Sequence, residues 1–226
     1  MVGWLASADG VLRQAPWITE QLSSRRTLWR LVGCLIAFGL LYGAAMGTFR
    51  ALGGQSQWFL QIVYSAVKVP LLLTFSFAIS LPSFYVLNSL FGLGSDFGRA
   101  IRALAAAQAG LAIILASLSP LTLMWYASSD NYQNALRFNG LMFLVASISA
   151  QWLVRGFYRP LIERNPRHRL LLWCWLSVYV LVAIQLAWWL RPFVGSPTAD
   201  VQFIRRQAWD NAYVYVANLI WQTLFP

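Results

Sequence analysis

Lys68 is the only lysine in this chain, and it stands near the middle of a long apolar run from Trp58 to Leu81, two residues before Pro70. A charged side chain at that depth in a membrane costs about 2.5–3.5 kcal/mol on insertion scales, so it is retained where something compensates it. Pro70 has no N–H and leaves the carbonyl of Ala66 without its helical donor. None of the acidic residues (Asp9, Glu20, Asp96, Asp130, Glu163, Asp200, Asp210) falls inside an apolar run. Three kinds of partner therefore stay open for Lys68. They are the polar groups Gln108, Gln151 or Gln185 on neighbouring helices, an acidic residue of another subunit, or lipid headgroups reached by snorkelling.

The other reactive residue types form no recognisable centre. His168 stands alone between Arg167 and Arg169, without co-ligands for a metal or a nucleophile to activate, and receives no catalytic role. Cys34 and Cys174 both lie within apolar segments and read as packed small residues. The chain has no phosphate-binding glycine loop, dinucleotide fingerprint, zinc-protease pair or nucleophile elbow. No catalytic residue, metal ligand or cofactor is assigned.

Two further patterns suit contact rather than catalysis. Gly39, Gly43 and Gly47 recur every fourth residue and make a flat stripe on which another helix can approach closely. That helix belongs either to the same chain or to another one, a second copy included. The stretch RGFYRPLIERNPRHR carries Arg155, Arg159, Arg164, Arg167 and Arg169. Beside a membrane helix such a cluster attracts anionic phospholipid at about 1 kcal/mol per base; the same arginines also serve as topology signals.

The elements that position these residues are membrane helices. The chain is 59% hydrophobic and 11% charged, against roughly 25% charged in soluble domains. Its apolar runs are separated by short charged stretches, as crossings of a bilayer require. The formal net charge of +10 does not point to nucleic acid, because the arginines are scattered over short loops with no reader helix or stacking module around them. Five crossings are expected: Leu31 to Phe49, Trp58 to Leu81, about Ala103 to Trp125, Asn139 to Val154 (with a start a turn earlier, at Ala135, left open), and Leu170 to Leu190. Pro82 follows the second, and SFYVLNSLFGL either continues it beyond a kink or lies near the interface. The first crossing is too long and too far from the start for a removable signal peptide.

Arginine placement orients the bundle. Arg13, Arg25, Arg26, Arg30, Arg99, Arg102 and the Arg155–Arg169 cluster fall on one side; Arg50, Arg137, Arg191, Arg205 and Arg206 fall on the other. The positive-inside rule places the amino terminus in the cytoplasm and the carboxy terminus outside, as an odd number of crossings also demands. The fold class is thus all-α and polytopic. Residues 1–30 form a short cytoplasmic segment, 31–190 the five-helix domain, and 191–226 an extracytoplasmic tail. Pro16, Trp17, Ile18 and Leu22 suggest a brief in-plane helix in the first of these. In the tail, Trp209, Tyr213, Val216, Ile220 and Leu224 recur at helical spacing opposite Asn211, Tyr215, Asn218 and Gln222, which predicts an amphipathic helix that lies in the outer interface or caps the bundle.

Four stretches resemble a group of largely uncharacterised bacterial multi-helix membrane proteins that is distantly Yip1-like. They are KVPLLL at Lys68–Leu73, LPSFYVLN at Leu81–Asn88, LASLSPLTLMWY at Leu115–Tyr126 and LRPFVGSP at Leu190–Pro197. The resemblance runs from about Gly43 onward. It implies five membrane helices, a cytoplasmic amino terminus and work through partner proteins; it transfers no catalytic residue.

Two functions follow as expectations. The first is a non-enzymatic subunit or scaffold of a complex in the bacterial inner membrane, binding partner proteins and anionic lipid. The second is a small-solute or lipid transporter built around the kinked second helix and Lys68. A polar cavity joining Lys68 to Gln108, Gln151 and Gln185 favours transport, and a dry core favours assembly.

Overall fold

The computed structural model describes residues 2–15, 25–196, 200–204, 212–213 and 221. The in-plane helix expected from Pro16 lies outside these residues, as does the tail helix except at Tyr213 and Trp221. The fold is all-α, with five helical stretches long and apolar enough to cross a membrane.

A short helix α1 (Val2–Leu12) precedes the first long one, α2 (Arg25–Gly47), which a single turn α3 (Phe49–Leu52) extends. Helix α4 (Trp58–Leu90) follows. At 33 residues it spans about 50 Å, well beyond the roughly 30 Å of a hydrocarbon core. Both Pro70 and Pro82 sit inside it, so the segment after Pro82 does continue the helix. The helix stops at Phe91, and Gly92 turns the chain with a φ of 71°, a conformation that suits a residue without a side chain. A 3₁₀ turn (Gly94–Asp96) leads into α5 (Phe97–Ser117).

The third crossing is two helices. The chain breaks at Leu118, whose N–H bonds back to Ile114 and Leu115, and Pro120 takes the first turn of α6 (Ser119–Ser128). Proline is suited to that place because the N–H it lacks has no helical acceptor there. Asn131 then caps α7 (Tyr132–Arg164), its side chain accepting the N–H of Asn134 at 3.1 Å. This helix is longer at both ends than the apolar run from Asn139 to Val154. An i,i+4 bond of 2.7 Å from Arg159 to Glu163 supports its charged last turns. After Asn165 and Pro166 comes α8 (Arg167–Trp189).

Helix α2 is central, with α4 packed on one side and α5 on the other. Helix α8 attaches to α4, and α7 to α5, while α1 rests on α5 and α2. The core has two parts. One, around Cys34, Phe84, Leu104, Leu153, Leu171 and Trp175, lies towards the arginine-rich end. The other, around Tyr42, Met46, Val69, Leu115, Tyr126 and Met142, lies towards the opposite end and also takes in Val194 of the tail. The stretch before α2 is no separate appendage. Ala8 and Val11 of α1 belong to the first core, and Gln14 reaches α7, donating to the carbonyl of Trp152 at 3.3 Å. Cys34 and Cys174 are both free thiols.

Candidate functional site

Along α4, Gln61, Ser65 and Lys68 are spaced by four and three residues and therefore share one face. All three are fully buried. What buries them is the segment that leaves α8. Lys68 Nζ donates to the carbonyl of Pro192 at 2.8 Å and to that of Gln202 at 2.9 Å. One turn back, Gln61 Nε2 donates to the carbonyl of Phe193 at 3.0 Å and to Ser65 Oγ at 2.9 Å, and Ser65 Oγ donates to the same Phe193 carbonyl. Each tail group in this set is a main-chain oxygen.

Two rings complete the enclosure of the ammonium. Its nitrogen stands 5.4 Å from the centre of the Phe203 ring and 5.9 Å from that of Tyr64, within the range of cation–π attraction. The rings meet edge to face at 5.2 Å. Carbonyl dipoles and ring quadrupoles thus replace the water that an ammonium loses on burial.

The rest of the segment is fixed in the same manner. Arg50, mostly buried, donates through Nη1 to the carbonyl of Ser196 at 2.8 Å and through Nε to that of Ser56 at 2.7 Å. Tyr132 Oη donates to the carbonyl of Val194 at 3.4 Å. Gly195 allows the close approach: a Cβ there would come within 2.8 Å of Gln61 Cγ. Farther along, Tyr213 Oη donates to the carbonyl of Leu181 at 3.1 Å, so this part of the tail lies beside α8.

These contacts differ from the partners expected for Lys68. Gln108 is engaged elsewhere, donating to Tyr179 Oη at 2.7 Å and to the Leu73 carbonyl at 3.5 Å, which ties α5 to α8 and α4. Gln151 and Gln185 are half-buried, and neither is bonded to Lys68. In this arrangement the whole Lys68 side chain is enclosed rather than extended to the surface. The tail was not foreseen as a partner because a main-chain carbonyl carries no signature in a sequence.

The glycine stripe is occupied within the chain. A Cβ on Gly39 would meet Pro70 at 3.2 Å, one on Gly43 would meet Ala66 Cα at 2.8 Å, and one on Gly47 would meet Ile62 Cα at 2.6 Å. Gly39 in particular makes room for the ring of Pro70, so two residues singled out for separate reasons form one contact.

At the opposite end, the arginine cluster divides. Arg159 pairs with Glu163 at 2.7 Å, and Arg164 stands 3.9 Å from Asp96. Arg155, Arg167 and Arg169 are exposed. Asp96 also receives Arg99 at 2.7 Å, and its second oxygen faces His168 Nε2 at 3.5 Å. His168 is fully buried, with Nδ1 facing Tyr158 Oη at 3.5 Å. The histidine therefore has neighbours that its local sequence did not announce, 72 residues away in the case of Asp96.

A third polar group lies under α6. Asn139 donates to Tyr126 Oη and, at 2.8 Å, to the Ala135 carbonyl, and it accepts from Tyr42 Oη at 3.4 Å. Tyr126 also lines a recess of about 300 Å³ with Phe49, Leu52, Gly53, Gln55 and Asp130. No family model, curated protein or solved structure matches the chain.

Proposed function

We propose that this protein is a non-enzymatic subunit or scaffold of a membrane protein complex in the bacterial inner membrane. In this reading the arginine-rich end, with the amino terminus, faces the cytoplasm, and the tail end faces the periplasm. The observation that carries it is the enclosure of Lys68. A transport path centred on that residue calls for a polar cavity beside it; instead its ammonium is closed off by Pro192, Gln202, Tyr64 and Phe203. Gln108, the polar group nearest to completing such a cavity on α5, is committed to Tyr179. A bundle sealed in this way is suited to holding partners at its periphery, with anionic phospholipid drawn to the exposed Arg155, Arg167 and Arg169.

The test is extraction from the native membrane in mild detergent, followed by measurement of the mass and composition of the particle. A defined hetero-complex is expected. A particle made only of this chain, whether one copy or several, overturns the subunit reading and directs attention to uptake assays with Lys68→Met.

A further inference from the structure

We propose that Gln61, Ser65 and Lys68 form a binding site for an anionic oxygen group, a carboxylate or phosphate, and that the tail is its built-in occupant. The inference starts from the same enclosure of Lys68 that the subunit reading uses, and the labelling experiment below reads the junction whatever the composition of the particle.

The chemistry of the three side chains points one way. An ammonium, an amide N–H and a hydroxyl converge on one buried face, and each is at present satisfied by an oxygen of the tail main chain. The tail groups bonded to these three side chains are carbonyl acceptors, none of them a carboxylate. Among the described residues no carboxylate is bonded to Lys68, so carbonyl dipoles and two ring faces balance the buried ammonium. An anion in their place forms charge-assisted bonds, which are roughly twice as strong as neutral ones.

The occupant is held mainly through polar contacts of its main chain. Between 191 and 196 only Val194 and Gly195 are buried; the other side chains there are half-exposed, and Asp200 and Ile204 are exposed. Lifting the segment withdraws Val194 from the second core and Phe193 from against it. The polar main chain already reaches Lys68 from the end of α4 that carries Trp58.

The uniqueness of Lys68 provides the readout, because an amine-reactive reagent can modify no other lysine. The protein in phosphatidylcholine nanodiscs is treated with such a reagent, and modification of Lys68 is followed by mass spectrometry. Wild type is expected to react slowly. Gly195→Leu, which drives the tail off Gln61, and Phe203→Ala, which removes one ring from the enclosure without adding bulk, are each expected to react about tenfold faster while keeping their helix content.

Phosphatidylglycerol in the disc, or inorganic phosphate in the buffer, is then added to the faster-reacting variants. Protection by the lipid alone identifies a headgroup as the ligand; protection by phosphate identifies a free anion. The protection is expected to vanish when Gln61→Ala and Ser65→Ala are combined with the tail variant. Equal reactivity of wild type and both variants overturns the proposal, and so does failure of both anions to protect.

Discussion

Gly43 of α2 lies against the backbone of Ala66 of α4, so close that a Cβ on the glycine would stand 2.8 Å from the alanine Cα. This is the tightest kind of helix crossing, in which main chain rather than side chain sets the distance. Gly43→Val is expected to force the two central helices apart and lower the unfolding temperature in detergent substantially, by the equivalent of about 1–3 kcal/mol or more. Gly39→Ala, which meets the ring of Pro70 at 3.2 Å, is expected to cost less. A thermal melt of the two variants beside wild type decides the order, and a more damaging Gly39→Ala contradicts it.

Lys68 can be tested by size and by charge. Lys68→Met keeps the bulk but leaves the carbonyls of Pro192 and Gln202 without their donor, at about 1–3 kcal/mol for each buried group left unpaired. Lys68→Arg keeps a cationic donor, although its planar fork does not match a pair of carbonyls that a rotating ammonium serves. Limited proteolysis of the tail is expected to be fastest in Lys68→Met, intermediate in Lys68→Arg and slowest in wild type. Equal cleavage of all three shows that the ammonium does not hold the tail.

Asp96 gathers Arg99, Arg164 and the buried His168 at the arginine-rich end. Its removal in Asp96→Ala deprives a fully buried imidazole of its one facing carboxylate, and a loss of about 1–3 kcal/mol in stability is expected. Tyr158→Phe is expected to do less harm, since its contact with the imidazole is long, at 3.5 Å. Chemical denaturation in mild detergent separates the two.

The five clustered arginines are not equivalent in their pairing. Arg159 and Arg164 have acidic neighbours, whereas Arg155, Arg167 and Arg169 are exposed. Replacing the last three by glutamine is expected to weaken association with phosphatidylglycerol vesicles by about 1 kcal/mol per residue, with a smaller dependence on salt. Arg159→Gln is expected to change little. Native mass spectrometry of the phosphatidylglycerol retained by the purified protein reads the difference, and equal lipid retention in the triple variant and wild type refutes it.

The sequence announced what depends on composition and short-range spacing. Five apolar runs became five helical stretches, the third broken at Leu118, because lipid demands that each backbone donor find its acceptor within its own segment. The glycine stripe on α2 was visible for the same reason, being a local period. Helix ends were harder to read. The run from Asn139 to Val154 stops where hydrophobicity stops, yet α7 continues from Tyr132 to Arg164, because a charged helix held by Arg159 and Glu163 needs no lipid around it. Proline gave a mixed signal: Pro70 and Pro82 remain inside one helix, whereas Pro120 starts a new one.

What stayed hidden was the pairing across distance. Lys68 finds its acceptors 124 and 134 residues away, and His168 faces Asp96 across the bundle. No spacing rule connects such positions. The need of Lys68 for compensation was legible, but not the source of it.

The junction between α4 and the tail is asymmetric in where its specificity resides. The helix contributes side chains, and the tail contributes carbonyl oxygens that almost any residue carries. Exchanging the side chains at 192 or 202 leaves the bonding groups in place, provided the chain keeps its path, whereas each exchange at 61, 65 or 68 deletes a donor. A foreign peptide of the same length and course, grafted after Leu190 with glycine kept at 195, would therefore meet the same three residues with its carbonyls, though without the ring of Phe203. The helix is the durable half of this fastening, and the strand of tail is its interchangeable half.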